Sequence, residues 1–256
     1  LNDLFLKHPA MTRILFLLTM FTFLPGKNSF RKEQQRAPKV FTAYQEKWPE
    51  LKSRLHGMGV DTNTLRVFLR VFKSEKMIEM WVKGASDKSF QRFAEYPICA
   101  SSGELGPKRK QGDGQVPEGF YAVSVFNPYS NYYVSLGLNY PNKSDRILGG
   151  KGDLGGAIMI HGNCVTIGCM PITDDKIKEV YVLAAEARND GQEDIPVHVF
   201  PVKLNDENMK ALEKRYSQDQ GLLAFWRNLK TGFDYFEGKK KLPVISVAAD
   251  GSYLVK

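Results

Sequence analysis

His161 and Cys169 stand eight residues apart in IMIHGNCVTIGCMPITDD, residues Ile158 to Asp175, which also holds Gly162, Cys164 and Gly168. The chain has only four histidines and three cysteines, so this crowding asks for a chemical reason. Three chemistries fit the residue types. Zinc takes imidazole and thiolate, but the spacings here are three and five residues, and the remaining cysteine, Cys99, lies in a distant strand candidate. Structural zinc usually draws on short paired cysteine elements instead. A Cys164–Cys169 disulfide would close a tiny loop and consume the thiol. The third chemistry is a nucleophile with its base. A thiol at a glycine-containing turn is exposed, neighbouring backbone N–H groups can stabilise an oxyanion, and a histidine ending the adjacent strand can take the thiol proton. This reading has the fullest mechanism. Cys164, three residues past the histidine, is expected to be a packed apolar thiol.

Such a pair needs a frame, and the surrounding sequence supplies one. The apolar run Ala157 to Ile160 reads as a short buried strand ending on His161. Thr173 can cap a helix carrying Asp174 and Asp175 in its first turn, with Ile177, Val180, Tyr181, Ala184 and Ala187 at helical spacing and Gly191 beyond its end. Upstream, LRVFLRVFKSEKMIEMWVKG from Leu65 to Gly84 reads as a hairpin turning at KSEK, and FQRFAEYPICA continues as a strand. A glycine-rich basic loop, Ser101 to Gly119, precedes the strand candidates FYAVSVF and YYVSLGLNY. IPVHVFPVKL returns to strand. A helix pattern starts at Asn205, and LLAFWRNLKTGFDYF and a terminal β-pair follow. The aromatic stretch Phe225, Trp226, Phe233, Tyr235 and Phe236 reads as the core of this extension or as cover for one side of the site. The expectation is a mainly-β core with added helices.

The 256 residues carry a net charge of +8, which favours an anionic partner, although KRK at Lys108 and KKK at Lys239 also suit a solvated surface. No nucleotide loop, nucleic-acid motif or metal cluster is visible; no cofactor, metal or nucleic-acid partner is expected. MTRILFLLTMFTFLPG holds one basic residue, Arg13, and an eleven-residue run from Ile14 to Leu24 interrupted only by threonine. That is signal-peptide length, short of the roughly 20 residues of a spanning helix. The protein is therefore read as exported, with membrane attachment only through an uncleaved anchor. The expected organisation is 11–26 signal peptide or anchor, 27–64 linker and short helical element, 65–204 catalytic domain, and 205–256 an extension packed on it.

IHGNCVTIGC resembles the signature of the L,D-transpeptidase (YkuD-type) catalytic domain family, in particular its YafK-like branch. GELGPKRKQGDGQVPEGFY, YYVSLGLNYPNKSDR and FWRNLKTGFDYFE are similar to other segments of that branch, and the likeness runs from about Leu65 to Tyr253. The resemblance implies a β-sandwich-like catalytic domain and peptidoglycan stem peptides as substrate in the periplasm or cell envelope, with a wall-linked lipoprotein as a further partner. It implies Cys169 as nucleophile, His161 as general base, the N–H groups of Gly168 and Cys169 as oxyanion donors, and the Gly162 carbonyl as the group orienting the imidazole. Thr166 stands where the family has Ser or Thr. Two family positions differ: a second histidine is Ile167 here, and an arginine thought to meet a substrate carboxylate is Pro171. Basic residues near in sequence are then expected to bind substrate: Lys108, Arg109, Lys110, Arg146 and Lys151. The implied chemistry is a thioester, with hydrolysis at diaminopimelate favoured over forming 3–3 crosslinks or attaching proteins. A non-catalytic cell-wall binding module is the alternative of another class.

Overall fold

The computed structural model of the chain describes residues 29–256; the segment read as signal or anchor, 11–26, lies outside them. β1 (Arg66–Phe72) and β2 (Met77–Lys83) form the hairpin that KSEK predicts, with Phe72 opposite Met77 across the turn. With β3 (Gln91–Pro97), β4 (Gly119–Asn127), β5 (Ser135–Leu138), β6 (Met159–His161), β7 (Met170–Pro171) and β8 (Ile195–Phe200) they make one eight-stranded sheet. Its order is β3-β2-β1-β8-β4-β5-β6-β7. The β1–β8 and β6–β7 pairs are parallel and the others antiparallel. Register shifts at Met80/Trp81 and Val123/Val125 are the kind that bend strands and curl a sheet. The mainly-β class with added helices holds.

β1 is buried on both faces, and the two-residue period of a strand sorts its side chains. Val67, Leu69 and Val71 enter an aliphatic core with α4 (Asp174–Asn189), while Phe68 and Phe72 enter aromatic clusters with α6 (Gln220–Lys239). Trp226, Phe233 and Phe236 lie in those clusters, so this part of the extension is core. Trp226 also donates its Nε1–H to the buried Glu118 carboxylate at 2.7 Å. α5 (Asp206–Arg215) precedes α6, and β9 (Ile245–Val247) pairs with β10 (Tyr253–Val255).

The segment read as linker and short helical element is more ordered than expected. α1 (Ser29–Gln34) and the 20-residue α2 (Pro38–Gly57) both pack on α4. Two groups explain this. Val40, Tyr44, Leu51 and Leu55 of α2 repeat on one buried face, and the fully buried Glu186 of α4 is met by Arg31 Nε at 2.6 Å and the Tyr44 hydroxyl at 2.7 Å. Pro49 sits inside α2 without ending it. A short helix with no sequence-based counterpart, α3 (Lys143–Leu148), starts at a reciprocal Asn142–Asp145 capping box. Among the described residues no helix is long and apolar enough to cross a membrane.

Candidate active site

The two short strands β6 and β7 set the geometry. They pair in parallel with His161 opposite Pro171 and Ile160 opposite Met170. Cys169 immediately precedes β7, so the β6–β7 pairing brings the segment that carries the thiol alongside the strand that ends on His161. His161 is 2% exposed, whereas Cys169 is half-buried and is the free cysteine of the chain. Its thiol rests against the Ala157 carbonyl at 3.6 Å.

The imidazole is fixed by its surroundings. Nδ1 lies 2.5 Å from the Gly162 carbonyl oxygen, which can only accept, so Nδ1 carries the proton and Nε2 is left as the basic nitrogen. The Tyr132 ring covers the imidazole, centroids 4.7 Å apart. Burial pushes the His161 pKa below its ordinary value, against an opposing pull from that carbonyl. Burial likewise pushes the Cys169 thiol up, opposed by a backbone hydrogen bond from Met159. At neutral pH the pair rests as imidazole and thiol, not as an ion pair.

Gly162 is required for close approach. A Cβ there would come within 2.4 Å of Asp174 Oδ1 and 2.8 Å of the Tyr132 carbonyl. Asp174, in the first turn of α4, accepts from the Asn163 N–H at 2.8 Å and so ties the helix start to the loop after His161. Thr173 occupies the N-cap position of α4, as expected, but its side chain makes no capping bond. Gly168 has φ of +104° and packs on the Gln115 carbonyl.

Its N–H donates to Ser102 Oγ at 2.7 Å, and Ser102 Oγ donates to the Gly114 carbonyl at 2.9 Å. The Cys169 N–H donates to Thr166 Oγ1, which donates back to the Cys169 carbonyl, both at 2.8 Å. Both N–H groups named as oxyanion donors are thus held by hydroxyls at rest. Thr166 clasps Cys169 itself.

Cys164 corrects an expectation. It is not a packed thiol, and it does not pair with Cys169; it forms a disulfide with Cys99, 65 residues away, with Cα atoms 5.4 Å apart. The Cys99 N–H also donates to the Pro171 carbonyl at 3.0 Å, so the chain after β3 lies against β7 where Cys164 can reach it. A disulfide sulfur is no thiolate, and the zinc reading of His161, Cys164 and Cys169 loses a donor.

Cys169 opens on a cavity of ≈ 200 Å³ lined by the β1–β2 turn, by Ile98 and Ala100 to Leu105, by Val116 and Met170, and by Arg215 of α5. The cations on its wall are Lys73, Lys76 and Arg215, none of them a candidate from sequence. Lys108 faces inward, bound to Asp113 and the Lys110 carbonyl. Arg109 pairs with Asp145 at 3.0 Å and lies over the Phe225 ring. Lys110, Arg146 and Lys151 are exposed, and none of these five lines the cavity. Ile167 is 85% exposed beside Cys169.

The sheet thus carries a histidine whose imidazole is fixed by a carbonyl and, just before the strand paired with it, a free cysteine that opens on a cavity. The chain belongs to the YkuD family, L,D-transpeptidase catalytic domain, which matches residues 66–199. It is 39% identical over 191 residues to "Putative L,D-transpeptidase YafK" of Escherichia coli (strain K12), covering 74% of this chain and 73% of that protein. The protein of the same name from Escherichia coli O157:H7 matches to the same extent. Among solved structures, the chain is similar to the helical cell shape determining protein Pgp2 from Campylobacter jejuni, with a TM-score of 0.43, 17% identity, and coverage of 77% of this chain and 80% of that one. Bd1075 of Bdellovibrio bacteriovorus gives a TM-score of 0.40 at 21% identity, across 75% of this chain and 79% of that one.

Proposed function

We propose that the protein is an exported cysteine enzyme that cleaves peptidoglycan stem peptides at diaminopimelate through a thioester on Cys169. The observation that carries this reading is the fixed tautomer of His161: its Nδ1–H is held by the Gly162 carbonyl at 2.5 Å, so Nε2 is left to accept a proton, and the free cysteine directly precedes the strand paired with that of His161. Because both groups rest neutral, the thiol is deprotonated as it attacks, not beforehand. Sγ adds to the substrate carbonyl carbon while Nε2 takes the thiol proton. The C–N bond then breaks and the amine leaves with that proton. Water adds to the thioester, giving a proton to Nε2, and the C–S bond breaks to release the acid and restore the thiol.

The N–H groups of Gly168 and Cys169 serve as oxyanion donors when the incoming oxygen replaces the hydroxyls of Ser102 and Thr166. Their prepaid orientation is what makes such donors effective. Hydrolysis, in preference to crosslinking, is supported by the short span between base and nucleophile. The loop from His161 to Cys169 is pinned by the Cys99–Cys164 disulfide, by Asp174 and by Ser102, which leaves little chain to wall off an acceptor amine from water. A wall-linked lipoprotein is one leaving group this reaction accommodates.

The test is to incubate purified protein with crosslinked and with protein-linked muropeptides and resolve the products by mass spectrometry. Released peptide or a lysine-bearing fragment is expected. New 3–3 dimers without released fragments would replace hydrolysis by transpeptidation, and no product from either would leave a binding module.

A further inference from the structure

The cavity beside Cys169 holds three cations, and their environments differ. Lys73 is committed to the fold: its ammonium donates to the Gly106 and Val116 carbonyls at 2.7 and 2.9 Å and pairs with Glu118 at 3.0 Å. Lys76, at the end of the β1–β2 turn, and Arg215, in the last turn of α5, are exposed. Among the described residues neither pairs with a carboxylate. The Arg215 guanidinium lies over the Tyr216 ring at 5.3 Å, which limits its freedom without neutralising it. Among the described residues Glu104 is the single acid on the cavity wall, against these two unneutralised cations, and the hydroxyls of Ser74 and Ser101 add donors.

We infer that Lys76 and Arg215, two cations brought to the thiol's cavity by the fold, form the subsite that receives a free carboxylate of the acyl-donor peptide. This rests on the cleavage reading above for the identity of the peptide, though not for the preference for negative charge. It also gives the extension a role beyond packing, since Arg215 comes from α5. Charge-assisted hydrogen bonds to a carboxylate are the stronger kind, and guanidinium adds a geometry that matches it.

The test uses two measurements on the full chain and on Lys76→Gln, Arg215→Gln, the double variant, Arg215→Lys, and Lys52→Ala as a distant exposed control. The first is the ratio of Cys169 alkylation rates by iodoacetate and by iodoacetamide, reagents of similar size that differ in charge. The second is KM and kcat for a muropeptide with its carboxylates free and with them amidated. The wild-type ratio should fall about three- to tenfold in the double variant and shrink with added salt, with Arg215→Lys intermediate and Lys52→Ala unchanged. KM for the free acid should rise about tenfold in the double variant with kcat little altered, and the amidated substrate should be indifferent to the change. A fallen ratio without wild-type turnover of any muropeptide supports the anion subsite and sinks the peptidoglycan reading. An unchanged ratio and unchanged KM in the double variant overturn the subsite and leave that reading standing.

Discussion

His161 and His198 are both nearly sealed from solvent, at 2% and 3% exposure, and both are held neutral by burial. Their surroundings differ in every other respect. His161 has Nδ1 on a carbonyl, a tyrosine ring over it, and a free cysteine just before the neighbouring strand. His198 lies in the aromatic layer formed with α6, with Phe68 and Phe120 edge-on at 4.6 and 4.7 Å. Its Nδ1 has no partner among the described residues. Burial first, and the Arg70 guanidinium second, push its pKa down to about 3. A perturbed histidine is therefore not by itself a site. What distinguishes the two is an oriented tautomer and a free cysteine carried by the adjoining segment.

Substitution breaks this comparison most sharply. His161→Gln should lower kcat/KM by about a thousandfold, within the range of general-base catalysis, with the melting temperature close to wild type. His198→Phe should leave turnover within a few-fold, since it places a ring among rings far from Cys169. Steady-state kinetics on both variants, beside thermal melts, checks the pair. Equal activity losses would erase the distinction.

Acid titration is the next largest effect. The folded pKa of His198 lies below its ordinary value of about 6.5, so its stabilising contribution is complete above that value. As the pH falls below it, the unfolded chain takes up a proton that the native chain refuses. Stability should then drop, by at most about 1.4 kcal/mol per pH unit from this group, until the pH approaches 3. Denaturant melts from pH 7 to pH 4 should show a shallower loss in His198→Phe than in wild type. His161 is depressed in the same direction, so turnover should persist somewhat below pH 6.5 and fail only as Nε2 becomes protonated.

The disulfide sharpens the comparison from another side, because it braces the loop of one histidine and not the other. Cys99→Ser/Cys164→Ser should cost about 2–4 kcal/mol and lower activity further than stability alone explains. Reductant should reproduce both effects in wild type and neither in the variant. The smallest effect is expected at Thr166. Thr166→Val removes the hydroxyl clasp on Cys169 and should cost about 1–2 kcal/mol with a modest fall in kcat.

Much of the frame was legible because it rests on local periodicity. The β1–β2 hairpin followed from alternating apolar residues around KSEK, and α4 followed from its spacing and its acidic first turn. The His161–Cys169 pair was legible because one short segment carries both. α3 was missed although its signal was present: Asn142 and Asp145 have capping-box spacing just before the helix. α2 is longer than the short helical element read from sequence because tertiary burial of Val40, Tyr44, Leu51 and Leu55 holds the turns on either side of Pro49 in line.

The disulfide and the cavity cations belong to a different kind of information. Cysteine connectivity does not follow from spacing, and Cys99 meets Cys164 only because β3 runs out toward β7. Basic residues were sought near the motif in sequence, yet Lys108 and Arg109 bind the protein's own carboxylates. The cations at the cavity come from the β1–β2 turn and α5. Proximity along the chain was a poor guide to proximity at the thiol.

The central claim is a covalent acyl intermediate on Cys169. Rapid acid quench of wild-type protein with a purified muropeptide, followed by intact-mass and peptide mapping, should find the acyl group as a thioester on Cys169. Cys169→Ala, folded by the same melt, should show neither adduct nor product. Turnover at the wild-type rate by Cys169→Ala, or an adduct mapping to any other residue, would contradict the account.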